Sequence, residues 1–308
     1  MPLHTIHRPE NLDDLVGNES ASESLRSVLS RESDIPHSFL FTGPAGTGKT
    51  TGARILKNEL GCTNSDFHLY NSSNTRGIDT VREIIDSCQF APMHGDVKMI
   101  VLEECHQLTG PAQEALLVIL EEPPEYVYFV LCTTEPDKLK KSLKRRCHIS
   151  EMKALSLPEI KKLLLSTLEK ENIEDYPKEI LDKIAEACDG SPGKALNLLD
   201  TVIDIADNSV ALKAVEDATV SESNIAEIAR MLLSGKGQWS DIAQKIKGLA
   251  GEPESLRYAF LGYLNAVLLN KGSANVAALM MPFMEPCMYT GKAGLTFAIY
   301  MAWSDTKK

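Results

Sequence analysis

Gly43, Pro44, Ala45, Gly46, Thr47, Gly48, Lys49 and Thr50 run in the order Gly-x-x-x-x-Gly-Lys-Thr, with Thr51 next. Glycines at these spacings let the backbone curl so that successive N–H groups converge on phosphate oxygens. A helix starting at the lysine would add its positive end. In such a loop Lys49 reaches the β- and γ-phosphates of a nucleotide, and the Thr50 hydroxyl is placed to ligate Mg²⁺. A second pair of reactive groups follows in Met99-Ile-Val-Leu-Glu-Glu104, where four apolar residues end in two carboxylates. Beside the phosphate loop, Glu103 is the expected metal holder and Glu104 the group that polarises an attacking water. The bland alternatives are a glycine-rich turn that fits the pattern by accident and two acids that merely end a strand in solvent. A strand before the loop, a helix after it and an acidic strand downstream argue against both.

These groups work only if strands and helices place them at one edge of a sheet. Buried or alternating runs predict strands at Phe39–Thr42, Phe67–Asn71, Met99–Leu102 and Val127–Cys132. Helical periodicity predicts helices at Lys49–Leu60, Ile78–Gln89 and Pro111–Glu121. Strand–helix alternation of this kind builds an α/β fold on a parallel sheet. After residue 150 the strand signal fades. Pro158–Glu169, Pro177–Cys188 and Pro192–Ala206 each open near a proline and read as short helices. Further helices are expected over 222–234, 239–249, 254–270, 273–284 and 289–303, separated near Gly235, Gly251, Gly272 and Gly291. The expected organisation is an α/β domain over 1–152, a small helical domain over 153–208 and a C-terminal helical domain over 209–308.

The chain has 308 residues, 43% apolar and 24% charged, which is the composition of a folded globular protein. No apolar stretch approaches the roughly 20 residues of a membrane span, and no signal or transit segment opens the sequence. Seven cysteines are scattered without a Cys-x-x-Cys pair, which argues against disulfides or zinc and fits a reducing cytoplasm. The net charge is -11, carried entirely by residues 1–204, because residues 205–308 hold ten basic and ten acidic side chains. As a global number it argues against nucleic-acid binding. The basic residues of the first part are nevertheless gathered at Lys138–Arg146 and at Arg76 and Arg82. That distribution argues against indiscriminate binding rather than against any binding.

The phosphate loop and acidic strand together resemble those of the AAA+ ATPases, and longer segments narrow the likeness. Leu108-Thr-Gly-Pro-Ala-Gln-Glu-Ala-Leu-Leu-Val-Ile-Leu-Glu-Glu-Pro-Pro124 and Phe129-Val-Leu-Cys-Thr-Thr-Glu-Pro-Asp-Lys138 resemble the motor subunits of DNA polymerase clamp loaders. That family includes bacterial polymerase III gamma/tau, the small subunits of replication factor C and phage counterparts. Asn71-Ser-Ser-Asn-Thr-Arg-Gly-Ile-Asp-Thr-Val-Arg82 is similar to the family's segment after its second strand. Arg8 and Pro9, with Val16 and Gly17, match its N-terminal adenine-pocket segment. The resemblance covers about residues 5–200; beyond them only length and helical character match, where the family carries its oligomerising collar. The fold implied is an AAA+ P-loop domain followed by a helical lid and a helical collar. The cofactors implied are ATP and Mg²⁺.

By position, the resemblance puts Thr133 and Thr134 where the γ-phosphate is sensed, with Thr134 the better match. Arg146 of Lys144-Arg-Arg-Cys147 falls at the arginine finger, which completes a neighbouring subunit's site. On composition alone, that basic run reads as a solvated face. Three departures stand out. Glu103 replaces the usual Asp, which predicts slower turnover or an adjusted water shell around Mg²⁺. Gly193 occupies the position of a sensor arginine, with Lys194 adjacent as a possible substitute. The zinc insert of bacterial gamma/tau is missing, which makes the chain resemble a compact phage or replication factor C motor.

The implied partners are other loader subunits in a ring, a sliding clamp and primer–template DNA, with no membrane. Phe90 and Met93 are the expected clamp anchors, although Phe90 could equally pack under the sheet. Arg76 and Arg82 could meet DNA phosphates or form ordinary surface ion pairs. Two roles remain open. Lys49, Thr50, Glu104 and Thr134 favour an ATP-hydrolysing motor, whereas Glu103 and Gly193 favour a nucleotide-binding stator with weak or no hydrolysis. Another AAA+ activity, such as branch migration, is disfavoured by the Glu-Glu-Pro-Pro and Arg-Arg-Cys segments. His94 and His106 stay unassigned, Trp239 and Trp303 are expected to pack between helices, and Met280–Met284 reads as either collar contact or core.

Overall fold

A computed structural model describes residues 2–31, 33–72, 76–249 and 252–306. The chain divides into two compact units, Met1–Asp200 and Thr201–Lys308. In the first, α1 (Leu3–Ile6) and α2 (Glu19–Leu29) precede β1 (Ser38–Thr42) and α3 (Lys49–Glu59). Then follow β2 (Phe67–Asn71), α4 (Ile78–Ser87), β3 (Lys98–Glu103), α5 (Gly110–Glu121), β4 (Val127–Thr133), α6 (Lys141–Arg145) and β5 (His148–Glu151). The five strands lie in the order β2-β3-β4-β1-β5, and every pairing is parallel. The α/β parallel-sheet expectation therefore describes the molecule.

Strand periodicity sorts side chains onto two faces. Phe39, Phe41, Met99, Val101, Val130 and Cys132 pack with α2 and α3, through Leu25, Val28, Ala53 and Leu56. Leu40, Ile100, Leu102, Phe129 and Leu131 pack on the other face with Val81, Ile84, Ala112, Leu116 and Leu120 of α4 and α5. Both faces are covered, so the inner strands read as continuous apolar runs. At the edge, β5 did not. Its His-Ile-Ser-Glu sequence buries Ser150 and leaves Ile149 exposed, so no apolar signal marks it. This strand is a fifth beyond the four expected ones, paired Phe39↔His148 through Thr42↔Glu151. The helices before residue 36 were also unanticipated, although Ala21, Leu25 and Val28 give α2 a buried stripe at helical spacing.

Three helices follow the sheet: α7 (Leu157–Lys170), α8 (Lys178–Ala187) and α9 (Pro192–Val202). The first is fixed by a capping box in which Ser156 and Glu159 exchange hydrogen bonds with each other's backbone.

In the second unit the expected helix at 222–234 is longer. It is α10 (Asn208–Ser234), a helix of 27 residues opened by the Asp207 carboxylate and closed by Gly235. No proline or glycine interrupts residues 208–234, so nothing in the chain breaks it. After it come α11 (Trp239–Lys247), α12 (Pro253–Lys271), α13 (Ala274–Met280) and α14 (Gly291–Asp305). The expected 273–284 helix gives way to a 3-10 turn at Met281–Phe283, where Pro282 interrupts it. The break anticipated at Gly251 lies outside the described residues. Phe260, Leu264, Phe283, Leu295 and Ile299 form the centre of this unit's core. The 280–284 segment divides, with Phe283 buried and Met281 and Met284 exposed. Trp239 and Trp303 pack at 5.6 Å between ring centroids.

Candidate nucleotide site

The site lies at the carboxyl edge of the sheet, where β1 stops and the chain turns. Gly43 adopts φ +140°, and a Cβ there would sit 1.9 Å from the Met152 carbonyl oxygen, so only glycine fits. The Gly43 N–H donates to the Thr133 carbonyl, tying the loop to β4. Thr47 Oγ1 donates to the Pro44 carbonyl at 2.9 Å. Gly48 is the left-handed residue from which α3 starts, so the free N–H groups of its first turn face the loop. Lys49 is 8% exposed, and its ammonium donates to the carbonyls of Gly43 at 2.9 Å and Pro44 at 2.7 Å. Burial pushes the Lys49 pKa down, while the Glu104 and Glu103 carboxylates oppose that push.

The two acids separate at the end of β3. Glu103 keeps strand geometry and accepts a short hydrogen bond from Thr50 Oγ1. Glu104 turns into the left-handed region at φ 49°, which swings its carboxylate off the strand line. Its Oε2 accepts from Thr134 Oγ1 at 3.0 Å. Thr133 faces inward and is fully buried, its hydroxyl accepting the Glu135 N–H at 3.0 Å. Of the two threonines, Thr134 is therefore the one bonded to Glu104.

A cleft of about 400 Å³ joins these groups to the N-terminal segment and to α7 and α9. Ala45 through Thr51, Glu103 and Glu104 line it, as do Arg8, Pro9 and Val16. Leu15, Leu155, Leu163 and Leu196 give it an apolar wall suited to a base; His7 and Leu15 flank the expected Arg8, Pro9 and Val16, whereas His4 and Asn18 are polar members that sequence reasoning missed. Asn71, which opens the segment that resembles the family's, lines the cleft beside its register partner Glu103. Leu155, Leu163 and Leu196 had no signal, since they arrive from distant segments.

Several expected residues stand elsewhere. Gly17 does not line the cleft; at φ +68° it makes room for Leu155, whose Cδ2 would lie 2.4 Å from a Cβ. Lys194 is likewise absent from the wall and pairs with Asp189 at 3.4 Å. Gly193 does line it, and a Cβ at that position would meet nothing within 4 Å. Arg146 precedes β5, next to Ser38 and Tyr128, and pairs with Glu121 at 2.8 Å. That is the amino edge of the strands, about 15 Å of sheet away from the phosphate loop. It cannot reach the loop of its own subunit.

The residues present fit a magnesium nucleotide. Glycines at positive φ leave room for phosphate against the backbone, and the Thr50 hydroxyl meets the Glu103 carboxylate at one point. Such an all-oxygen pair suits Mg²⁺, which takes few protein ligands. Among the described residues no group of three or more His, Cys, Asp or Glu is arranged for a metal.

A second surface is built between α4 and β3. Phe90 and Met93 are 71% and 76% exposed, so Phe90 does not pack under the sheet. Their loop is held from behind. Lys98 donates to the carbonyls of Ser87 at 3.0 Å and Phe90 at 2.6 Å, and Tyr126 to those of Cys88 and Gln89. Asp66, fully buried, accepts the N–H groups of Met93 at 2.6 Å and His94 at 2.9 Å. Burial would raise the Asp66 carboxyl, but these N–H groups and the Thr63 and Ser65 hydroxyls pull it down to about 2. Arg82 pairs with Asp79 at the surface, and the Arg76 carbonyl accepts the Thr109 N–H. Ser73–Thr75 of the segment that resembles the clamp-loader family lie outside the described residues. Among the described residues no helix is long and apolar enough to cross a membrane.

Residues 63–156 match the family model described as DNA polymerase III, delta subunit. The DNA polymerase III subunit tau of Bacillus subtilis is 32% identical over 256 residues, 75% of this chain and 45% of that protein. Subunit tau of Escherichia coli is 31% identical over 254 residues, covering 75% and 39%. Subunit gamma of Buchnera aphidicola is 34% identical over 232 residues, covering 68% and 63%. The chain thus spans under half the length of these tau subunits. Among solved structures, the Thermotoga maritima RuvB Holliday junction branch migration motor matches with a TM-score of 0.59 at 21% identity, covering 85% of this chain and 91% of that one. That likeness establishes the architecture alone. With the phosphate loop, the paired carboxylates and the five-stranded parallel sheet, these relatives make the chain a member of the DNA polymerase III gamma/tau clamp-loader family, with the AAA+ fold.

Proposed function

We propose that this chain is an ATP-hydrolysing motor subunit of an oligomeric clamp loader, which places a sliding clamp on primer–template DNA during replication. In this reading residues 1–152 are the nucleotide-binding domain, 153–208 the lid and 209–308 the collar that joins subunits in the ring. The observation that carries it is the gathering of Lys49, Thr50, Glu103, Glu104 and Thr134 at one sheet edge. Lys49 exchanges the loop carbonyls for phosphate oxygens, and Thr50 with Glu103 holds Mg²⁺, which neutralises phosphate charge when bound. Glu104 orients the attacking water, with Thr134 beside it to sense the γ-phosphate. Because Arg146 stands at the far edge of the strands, it serves the cleft of a neighbouring subunit. Phe90 and Met93 anchor the clamp. The setting is cytoplasmic, in a bacterium or in its host if the chain is phage-encoded.

A second reading, a nucleotide-binding stator with little hydrolysis, is favoured by Gly193 in the cleft wall and by Lys194 turned to Asp189. Steady-state ATP turnover in the assembled loader, with and without clamp and primed DNA, separates the two. A Lys49→Ala preparation supplies the blank. Stimulated turnover supports the motor; turnover at the blank's level, with nucleotide still bound, supports the stator.

A further inference from the structure

His106 sits in the short 3-10 turn directly after Glu104 and is buried, with a side chain 4% exposed. Its ring lies between two carboxylates. Nδ1 is 3.3 Å from Glu104 Oε2 and 3.0 Å from Thr133 Oγ1. Nε2 is 3.2 Å from Glu135 Oε1 and 2.8 Å from the Gln107 side-chain amide. Glu135 in turn pairs through its other oxygen with Lys138 at 2.8 Å, and Lys138 is 58% exposed. The contact with Lys138 holds the Glu135 carboxyl below its ordinary range.

A neutral imidazole carries one ring N–H, so it cannot donate to both carboxylates at once. With the proton on Nδ1, the ring donates toward Glu104 and Thr133, and Nε2 accepts the Gln107 N–H. With the proton on Nε2, the ring donates to Glu135, and the Gln107 amide turns its oxygen rather than its NH2 toward the ring. Nδ1 then accepts the Thr133 hydroxyl hydrogen, which is free because that oxygen already accepts the Glu135 N–H. In this second arrangement Glu104 keeps Thr134 and loses the ring. Glu104 is held at a left-handed backbone position, where its carboxylate direction depends on such partners.

We propose that His106 is the positioning residue for Glu104, and that the exposed Glu135–Lys138 pair, by competing for its single ring proton, sets how firmly Glu104 is held. This rests on the reading of Glu104 as the group that orients the attacking water. Drawing Lys138 away from Glu135, as an anion would, strengthens Glu135 as an acceptor and loosens Glu104.

The test uses the full chain in the assembled loader. His106→Leu removes both ring nitrogens, whereas His106→Asn restores a polar atom at the Nδ1 position. Turnover should fall roughly tenfold or more in His106→Leu with KM unchanged, and His106→Asn should recover most of it. Lys138→Met should change kcat about twofold or more with His106 present and not at all in the His106→Leu background. Unchanged kcat in His106→Leu, or an equal Lys138→Met effect in both backgrounds, overturns the proposal. So does a joint loss of KM, kcat and folding midpoint, which a purely structural histidine would give. A second measurement needs no turnover. In ¹⁵N-histidine-labelled protein the His106 ring resonances should shift on Glu104→Gln and on Lys138→Met, and resonances that stay put overturn the coupling. Shifts in a loader that does not hydrolyse ATP uphold the coupling and sink the motor reading instead.

Discussion

In the nucleotide cleft the polar side chains are bonded to each other and to their own loop, whereas behind Phe90 and Met93 they are bonded to the backbone they support. Lys49 rests on the Gly43 and Pro44 carbonyls, Thr50 on Glu103 and Thr134 on Glu104. Each of those bonds can be exchanged for a phosphate, a metal ion or a water at little net cost, since one charge-assisted bond replaces another. Asp66, Lys98 and Tyr126 have no such freedom. They satisfy carbonyl groups where α4 ends and N–H groups of the loop that follows, and losing them leaves partly buried groups unpaired. Lys98 also places a positive charge at the carboxyl end of α4, where the helix dipole favours it. One region is arranged to change partners. The other holds two apolar side chains in solvent on a loop whose backbone groups are fixed from behind.

The contrast can be broken at either end. Lys49→Ala should produce the largest effect, a loss of nucleotide affinity of about 100-fold, roughly 2.7 kcal/mol, with the folding midpoint unchanged. Titration with a fluorescent ATP analogue reads the first and urea unfolding the second. A Lys49→Ala protein that unfolds early would mean that the lysine holds the loop rather than the ligand.

Asp66→Ala should do the reverse, costing on the order of 2 kcal/mol of stability while nucleotide affinity in the folded protein stays near wild type. The carboxyl of Asp66 lies at about 2, below the usual carboxylate range. Its stabilisation is therefore complete above the unfolded-state pKa of about 3.9 and is lost as pH falls toward the folded-state value. The stability difference between wild type and Asp66→Asn should accordingly shrink in urea titrations taken from pH 5 toward pH 2 (an approximate window set by those two values). A difference that persists unchanged at the acid end would detach the effect from this carboxylate.

Phe90→Ala should weaken clamp binding by about tenfold, roughly 1.4 kcal/mol, with stability and clamp-independent turnover unaltered. Binding measured by surface-immobilised clamp checks it, and unaltered affinity would remove Phe90 from the interface. The smallest effect is expected at Gly193→Arg. A Cβ there meets nothing, so the folding midpoint should move by no more than about 0.5 kcal/mol. The added guanidinium should tighten ATP binding a few-fold, and a loss of affinity would show that the cleft wall has no room for it.

The two regions also differ in how far the sequence discloses them. A phosphate loop is specified by residue type at fixed spacing, so Gly43 through Thr50 and the Glu103–Glu104 pair could be read directly. The cleft's apolar wall could not, because Leu163 and Leu196 are ordinary helix-core leucines until the fold brings them to Val16. Gly17 misled for a related reason. It sits beside a lining residue, but its positive φ serves the packing of Leu155. Nothing in the sequence singles out Asp66 and Lys98, and only the loop they enclose explains their burial. The edge strand β5 escaped because a strand with one polar residue facing inward carries no alternation. In the C-terminal unit, where no residue type marks chemistry, α10 was read from 222 although no proline or glycine breaks residues 208–234. His106 shows the same limit within the site itself. A lone histidine has no meaning in sequence until two carboxylates are found on either side of its ring.

The most direct test of a cleft completed by a neighbouring subunit mixes two inactive proteins. Arg146→Ala subunits keep the phosphate loop, and Lys49→Ala subunits keep the arginine. In loaders assembled from both, ATP turnover should recover above that of either parent, because some interfaces then join an intact loop to an intact arginine. No recovery at any mixing ratio, from loaders shown to assemble, would contradict hydrolysis at this cleft by way of Arg146.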